Sequence, residues 1–452
     1  MGHQPLAVAS AIAFLERAGL KPAALDLAVE KLDASLDDDV GEVGLVAISV
    51  PMHTALHIGV RAARRLRRAM PGVHICFFGL YATLNAEFLL DGLADSVIGG
   101  EFEAPLVGLA DALSHGRSPR EVEGLWVAGR PATPHLQRLD FVPPSRSGLP
   151  SVERYAQLEI DGELRTAAAV EASRGCLHQC RHCPIPPVYQ GRLFVVPVEV
   201  VLQDIRRLTA AGVRHLTFAD PDFFNGPGHT MAVVRALHDE FPQLTFDVTT
   251  KVENILRHRD RVPELAQCGC VFIVSAVESL SDEVLTHLAK GHTRLDVFEA
   301  QRIVSAAGLS MRPSLVPFTP WETLADYSGL LDWIEDDDLV DHVDPVQLSI
   351  RLLVPSGSLL ADSDAMRPHL RELIPERFGH AWEHPDPRMD RLQKEVAGIV
   401  ADAAREGREA STTYGAIRDA ARAADGQVAA PTRFLPARAS ARPPRLTEPW
   451  FC

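Results

Sequence analysis

Apolar and polar positions alternate along this chain in two successive rhythms. Pro5 to Ala18 carry apolar residues at helical spacing, and Gly19 stops that helix. Leu25 to Leu27 predicts a short strand. Val43 to Val50 (VGLVAISV) is a continuous apolar, β-branched run of the kind buried in parallel sheets. A helix over Ala55 to Ala69, a strand over Val73 to Phe78, a helix over Leu84 to Gly92 and a strand over Ser96 to Ile98 follow. This pace predicts an α/β, doubly wound, Rossmann-like parallel sheet over residues 1–115. Ligands of such sheets lie beyond the carboxyl ends of the strands. Here those ends carry Ser49 and Thr54, Gly79 to Thr83, and Gly99-Gly100-Glu101-Phe102-Glu103.

Residues 116–165 are rich in Pro, Arg and Gly and read as a connector, with a hairpin over Tyr155 to Arg165 turning at Asp161-Gly162. From residue 166 the alternation resumes with a longer period. Strands are predicted over Ala168–Ala172, His215–Ala219, Thr245–Thr250, Val271–Ala276, Arg312–Phe318 and Pro345–Arg351, with helices between them. Six such units predict an open (β/α)6 barrel over residues 166–355, whose chemistry belongs at the carboxyl ends of its strands. Residues 356–424 read as helical. Residues 425–452 read as a flexible tail ending in Trp450-Phe451-Cys452.

Hydrophobic residues make up 46% of the 452 and charged residues 23%, as in a globular protein with two or three domains. No apolar run reaches the roughly 20 residues of a membrane span. A net charge of −15 argues against a broad nucleic-acid surface. Seven cysteines, an odd number with three clustered, do not make a disulfide framework, and a cytoplasmic setting follows.

Those three are Cys176, Cys180 and Cys183, at C-x3-C-x2-C spacing in a loop that follows a predicted strand. Thiolates are the soft ligands of iron–sulfur clusters. A 4Fe–4S cluster normally takes four cysteines. With three, one iron stays open to a substrate or cofactor. A zinc site completed by His178 or His182 suits the same residues, and buried free thiols are a third reading. Cys268 and Cys270, in a helix-to-strand turn at the opposite face of the barrel, read as structural.

The stretch S-R-G-C-x3-C-x2-C resembles the signature of radical S-adenosylmethionine (SAM) enzymes, with His182 where that family usually has an aromatic residue. The resemblance implies that Cys176, Cys180 and Cys183 hold a 4Fe–4S cluster. Its open iron would chelate SAM, and an electron from an external donor such as flavodoxin or ferredoxin would cleave the sulfonium to a 5′-deoxyadenosyl radical. It further implies that Asp220 pairs with the cofactor's amino group, that Glu278 and Ser279 contact it, and that Arg312 holds its carboxylate. The loop order of residues 1–115 resembles the cobalamin-binding domain fused ahead of many such enzymes, although D-x-H-x-x-G is missing. That likeness places Ser49, Thr54, Gly79 and Gly100 around a cobalamin and implies methyl transfer, or another radical modification, of a small molecule or peptide. The ending resembles the CUAEP/CCAEP-tail group, which implies a catalytic role for Cys452 and a chain cut at a selenocysteine codon. The opening Met1-Gly2-His3-Gln4-Pro5 reads as a loop after a missing first strand, with a start codon further upstream.

Overall fold

A computed structural model describes residues 2–32, 43–426 and 442–448. The front unit is built on β1 (Leu45–Ser49), β2 (His74–Phe78), β3 (Ser96–Ile98) and β4 (Leu125–Trp126), adjacent in chain order. The first three are parallel and β4 is antiparallel. Strand periodicity feeds two cores. Ile75 and Phe77 pack with Leu56 and Val60 of the helix His53–Ala69. Cys76 and Phe78 pack on the other face with Ala11 of the helix Leu6–Arg17 and with Leu106 and Leu109 of the helix Glu103–Ser114.

Two expectations for this unit change. Leu25 to Leu27 is not a strand, because Asp26 pins a turn there: its Oδ1 accepts from the Ala28 amide at 3.0 Å and its Oδ2 from the Tyr155 hydroxyl at 2.7 Å. The strand order β1-β2-β3-β4 also never reverses, so these strands contain no switch point of the doubly wound kind.

The second sheet begins with β5 (Gln157–Ile160) and β6 (Glu163–Val170), the predicted hairpin. Asp161 and Gly162 turn it with φ of 52° and 77°, the left-handed pair that a tight hairpin demands. A short ribbon of β7 (Ser173–Gly175) and β8 (Leu193–Val195) frames the cysteine loop. Then come β9 (His215–Phe218), β10 (Thr245–Thr250), β11 (Cys270–Glu278) and β12 (Ser310–Leu315). The order is β12-β11-β10-β9-β6-β5, parallel from β12 to β6. This is a curled half-barrel of five parallel strands rather than six. The predicted sixth, Pro345–Arg351, is a 3-10 turn over Pro345–Ser349, and only Arg351 makes a parallel bridge, to Phe318. Pro345 lacks an amide to donate, and the Gln347 side chain takes the ladder's place by accepting from the Leu315 amide at 2.9 Å. Cys268 and Cys270 are buried and free on either side of Gly269, whose φ of 101° makes the helix-to-strand turn.

The region after the barrel is not all helical. It opens with an antiparallel hairpin, β13 (Leu370–Ile374) and β14 (Gly379–Trp382), before the helices Pro387–Glu406 and Ala410–Ala424. LRELI has good helix formers, but its neighbours supply a strand partner. The expected flexible tail also contains a fixed piece. β15 (Arg445–Leu446) lies antiparallel to β5, with Leu446 packed on Leu158, Ala167 and Phe272. Trp450, Phe451 and Cys452 lie outside the described residues.

The connector straps the front unit across the end of β3. His135 donates its amide to the Gly99 carbonyl at 2.8 Å and its carbonyl accepts from the Glu101 amide at 2.7 Å. Gly100 is at φ 78°, and a Cβ there would stand 2.3 Å from the His135 oxygen. Gly100→Ala is therefore expected to cost roughly 1–3 kcal/mol, read as a lower urea midpoint at unchanged slope.

Candidate metal and cofactor centre

The sequence leads a buried strand into three thiols. β6 ends at Val170. β7 follows, and Gly175 at φ 78° lets the loop close: a Cβ there would meet the Arg192 carbonyl at 2.3 Å and the Tyr189 ring at 2.7 Å. Cys176 and Cys180 are buried and Cys183 is partly buried. Burial pushes the Cys183 thiol up to about 12 and raises Cys176 as well. These sulfurs become ligands only where a cationic group offsets their charge. Among the described residues no three His, Cys, Asp or Glu side chains converge on one ion. A 4Fe–4S cubane does not ask for that, since each thiolate binds a different iron. The donor set therefore fits a cluster held by Cys176, Cys180 and Cys183.

The loop is held from three strand ends. From β9, Asp220 accepts from the Ala172 amide at 2.9 Å and the Ser173 hydroxyl at 2.5 Å; burial raises its carboxyl to about 7 despite these bonds. Asn225 donates to Cys176 Sγ at 3.4 Å. Asp222 accepts from Thr250 Oγ1 at 2.6 Å and Asn254 Nδ2 at 2.7 Å, and lies 3.2 Å from His178 Nε2. From the end of β10, Lys251 Nζ reaches His178 Nδ1 at 3.1 Å. From β11, Glu278 sits at φ 66°, an uncommon conformation for a residue with a Cβ. Its Oε1 accepts from Lys290 Nζ at 3.0 Å and lies 3.4 Å from His182 Nε2. Burial alone would raise Glu278, but the Lys290 charge and His182 hold it far below the usual carboxylate range. The buried Lys290 ammonium also feels the Cys180 and Cys183 sulfurs.

The structure thus brings Asp220 and Glu278 to the cysteine loop, each already engaged by loop residues. Ser279 follows Glu278 and donates to Glu322 Oε2 at 2.7 Å while accepting from the Ser281 amide. Arg312 is not brought there. It lies three residues before the end of β12, with Nη2 on Asp344 at 3.2 Å and Nη1 on the Pro444 carbonyl at 3.4 Å. In the front unit Ser49 ends β1 and Thr54 opens the helix His53–Ala69. Gly79, at φ 106°, lies against the Val50 backbone, and Gly100 lies against His135. His53, His57 and Phe88 surround Phe378, from the turn between β13 and β14, with ring centroids 6.2, 4.7 and 5.1 Å away.

Sequence reasoning passed over Asp222, Asn225, Lys251, Lys290 and Glu322 as individuals. Asp222, Asn225 and Lys251 follow the predicted strands His215–Ala219 and Thr245–Thr250, at the carboxyl ends where a barrel's chemistry belongs. Lys290 lies away from any predicted strand end, Glu322 lies beyond the predicted strand Arg312–Phe318, and only the fold brings them back to Glu278 and Ser279 at the end of β11.

Three comparisons extend this geometry. Residues 170–334 match the family model described as Radical SAM superfamily. The chain is 25% identical over 325 residues to a hopanoid C-3 methylase of Methylococcus capsulatus, covering 71% of this chain and 62% of that protein. It therefore spans less than two thirds of that relative. Among solved structures, the cobalamin-dependent SAM radical enzyme OxsB with aqua-cobalamin and SAM bound superposes with a TM-score of 0.72 at 16% identity, covering 90% of this chain and 65% of that one. The radical SAM methyltransferase TsrM from Kitasatospora setae gives 0.63 at 18%, covering 74% and 69%. The half-barrel is thus the part of the chain that carries the match to the radical SAM superfamily, a class that works with a 4Fe–4S cluster and SAM.

Glu322 offers a pH test. It is buried, which raises its carboxyl to about 8 even though Ser279 donates to it, and its Oε1 has no partner among the described residues. A raised carboxyl keeps its proton in the folded state while the unfolded chain releases it above about 4.5. Its contribution is thus present at low pH and is lost as pH rises towards 8. Glu322→Gln should flatten the fall in stability between pH 5 and 8, measured by urea unfolding at each pH.

Proposed function

We propose that this chain is a radical SAM enzyme that modifies a small molecule or peptide, with methyl transfer as the favoured outcome. The observation that carries the reading is the three-cysteine loop at the carboxyl end of β6, ringed by the polar ends of β9, β10 and β11. When bound, the cluster supplies one electron to the sulfonium of SAM. The chain's own residues do the rest. Asp220 and Asn225 fix the loop backbone and Cys176, Glu278 and Lys290 set the local charge, and the surrounding apolar core excludes water from the strand ends. The electron would come from a cytoplasmic donor such as flavodoxin or ferredoxin.

Methyl transfer is supported by the resemblance to a methylase and by the shared fold of OxsB and TsrM, and the same likeness favours cobalamin between the front unit and the barrel. The front sheet adds a specific observation. Gly79 and Gly100 cradle the chain's own backbone, and Phe378 is seated among His53, His57 and Phe88. A corrin at these loop ends requires the turn between β13 and β14, which seats Phe378, to move. The second reading is a radical SAM enzyme whose front unit is a filled, structural partner of the barrel.

Anaerobic reconstitution with iron and sulfide is expected to load about four irons per chain. Cys176→Ala, Cys180→Ala and Cys183→Ala should each remove most of that iron and its visible absorbance. With SAM and a low-potential reductant, loaded wild type should release 5′-deoxyadenosine or S-adenosylhomocysteine, and the three variants neither. Retention of cobalamin through gel filtration supports the methyl-transfer reading. Its loss, with SAM cleavage intact, supports the filled front unit.

A further inference from the structure

The cysteine loop and the front unit meet at one buried guanidinium. Arg174 stands two residues before Cys176 on β7, with its side chain 9% exposed. All five of its N–H donors are engaged. Nη1 donates to Glu103 Oε1 at 2.5 Å and to Glu101 Oε2 at 3.2 Å. Nη2 donates to Glu171 Oε1 at 2.6 Å and to Ser10 Oγ at 3.1 Å, and Nε donates to Glu171 Oε1 at 2.9 Å. Ser10 donates in turn to Glu103 Oε1 at 2.7 Å, and the Tyr189 hydroxyl to Glu101 Oε1 at 2.9 Å. Phe102 and Phe141 flank the guanidinium at 5.6 and 5.2 Å.

These partners come from both units. Glu101 and Glu103 belong to the segment after β3, and Ser10 to the first helix. Glu171 directly follows β6, and Tyr189 ends the short helix after the cysteines. A forked donor with all five positions filled fixes orientation as well as distance, which a lysine cannot reproduce. The path from the fork to the first sulfur has no slack, because Gly175 is already pressed against Arg192 and Tyr189. Three carboxylates around one cation also leave the hub negative. Burial raises Glu101 to about 7, and Glu103 Oε2 has no partner among the described residues. Fixed charge and loop geometry next to a cluster are the quantities that tune its potential.

We infer that Arg174 is a positioning residue through which the Gly100–Glu103 segment of the front unit sets the placement of the cysteine loop, and with it the cluster's electronic state and SAM affinity. The inference rests on the cluster assignment made above. Two variants test it. Glu103→Gln keeps shape and changes only the front unit, 73 residues from Cys176 in sequence. Arg174→Lys keeps charge and loses the fork. Both are loaded with iron beside wild type, reduced, and measured by electron paramagnetic resonance and by SAM titration. Iron content equal to wild type, shifted g-values in both and SAM affinity weakened about tenfold in Arg174→Lys are expected. Wild-type spectra and affinity in both overturn the inference. Loss of iron from both, with thermal unfolding unchanged, overturns it too, because the hub would then only hold the loop together. If wild type itself takes up no iron, the cluster assignment fails instead.

Discussion

Burial at the end of a strand opposes the ionisation of Cys176 and Cys183, and most of the chemistry around β6 answers that constraint. Burial drives Cys183 towards 12 and raises Cys176 too, which favours the thiol over the thiolate at both. A cationic iron–sulfur core reverses the preference. The protein's contribution is a setting in which the reversal is local: Lys290 and Lys251 near the loop, Asn225 donating to Cys176, and carboxylates tied up by His182, Lys290 and Thr250 so that they do not compete for iron. Glu278 illustrates the balance. Its buried charge is kept because a buried ammonium 3.0 Å away cancels it, and removing either partner alone would leave an unpaired ion in the core.

The same logic joins the two units. The front sheet does not rest on the barrel through an apolar patch alone; it offers Glu101 and Glu103 to Arg174. Two solved enzymes, OxsB and TsrM, share much of this architecture, at identities that speak for fold alone. Within it, this chain fills its own front-sheet ends with His135 and Phe378, and its C-terminal strand adds an edge to β5.

Much of this was legible in the sequence because the signals were periodic or close together. The apolar runs at β1, β2, β9, β10 and β11 announced their strands. Asp161-Gly162 announced a turn, and the cysteine spacing announced a metal loop. What escaped depends on contacts far apart in the chain. Asp26 turns Leu25–Leu27 out of a sheet by bonding to Tyr155, 129 residues on. Gln347 replaces a strand with a side-chain hydrogen bond. Arg312 carries the right charge for a carboxylate, but its place on β12 turns it towards Asp344 and Pro444 instead. Gly100 has the form of a cofactor cradle, and only the connector's path explains why glycine is needed there.

The central claim is a cluster with one iron left open by the three-cysteine loop. Mössbauer spectroscopy of wild-type protein reconstituted with 57Fe, before and after SAM is added, tests it most directly. The account predicts a 4Fe–4S spectrum in which the parameters of a single iron site change when SAM binds. Four irons that stay indistinguishable with SAM present, or iron bound in a form other than a cubane, would contradict it.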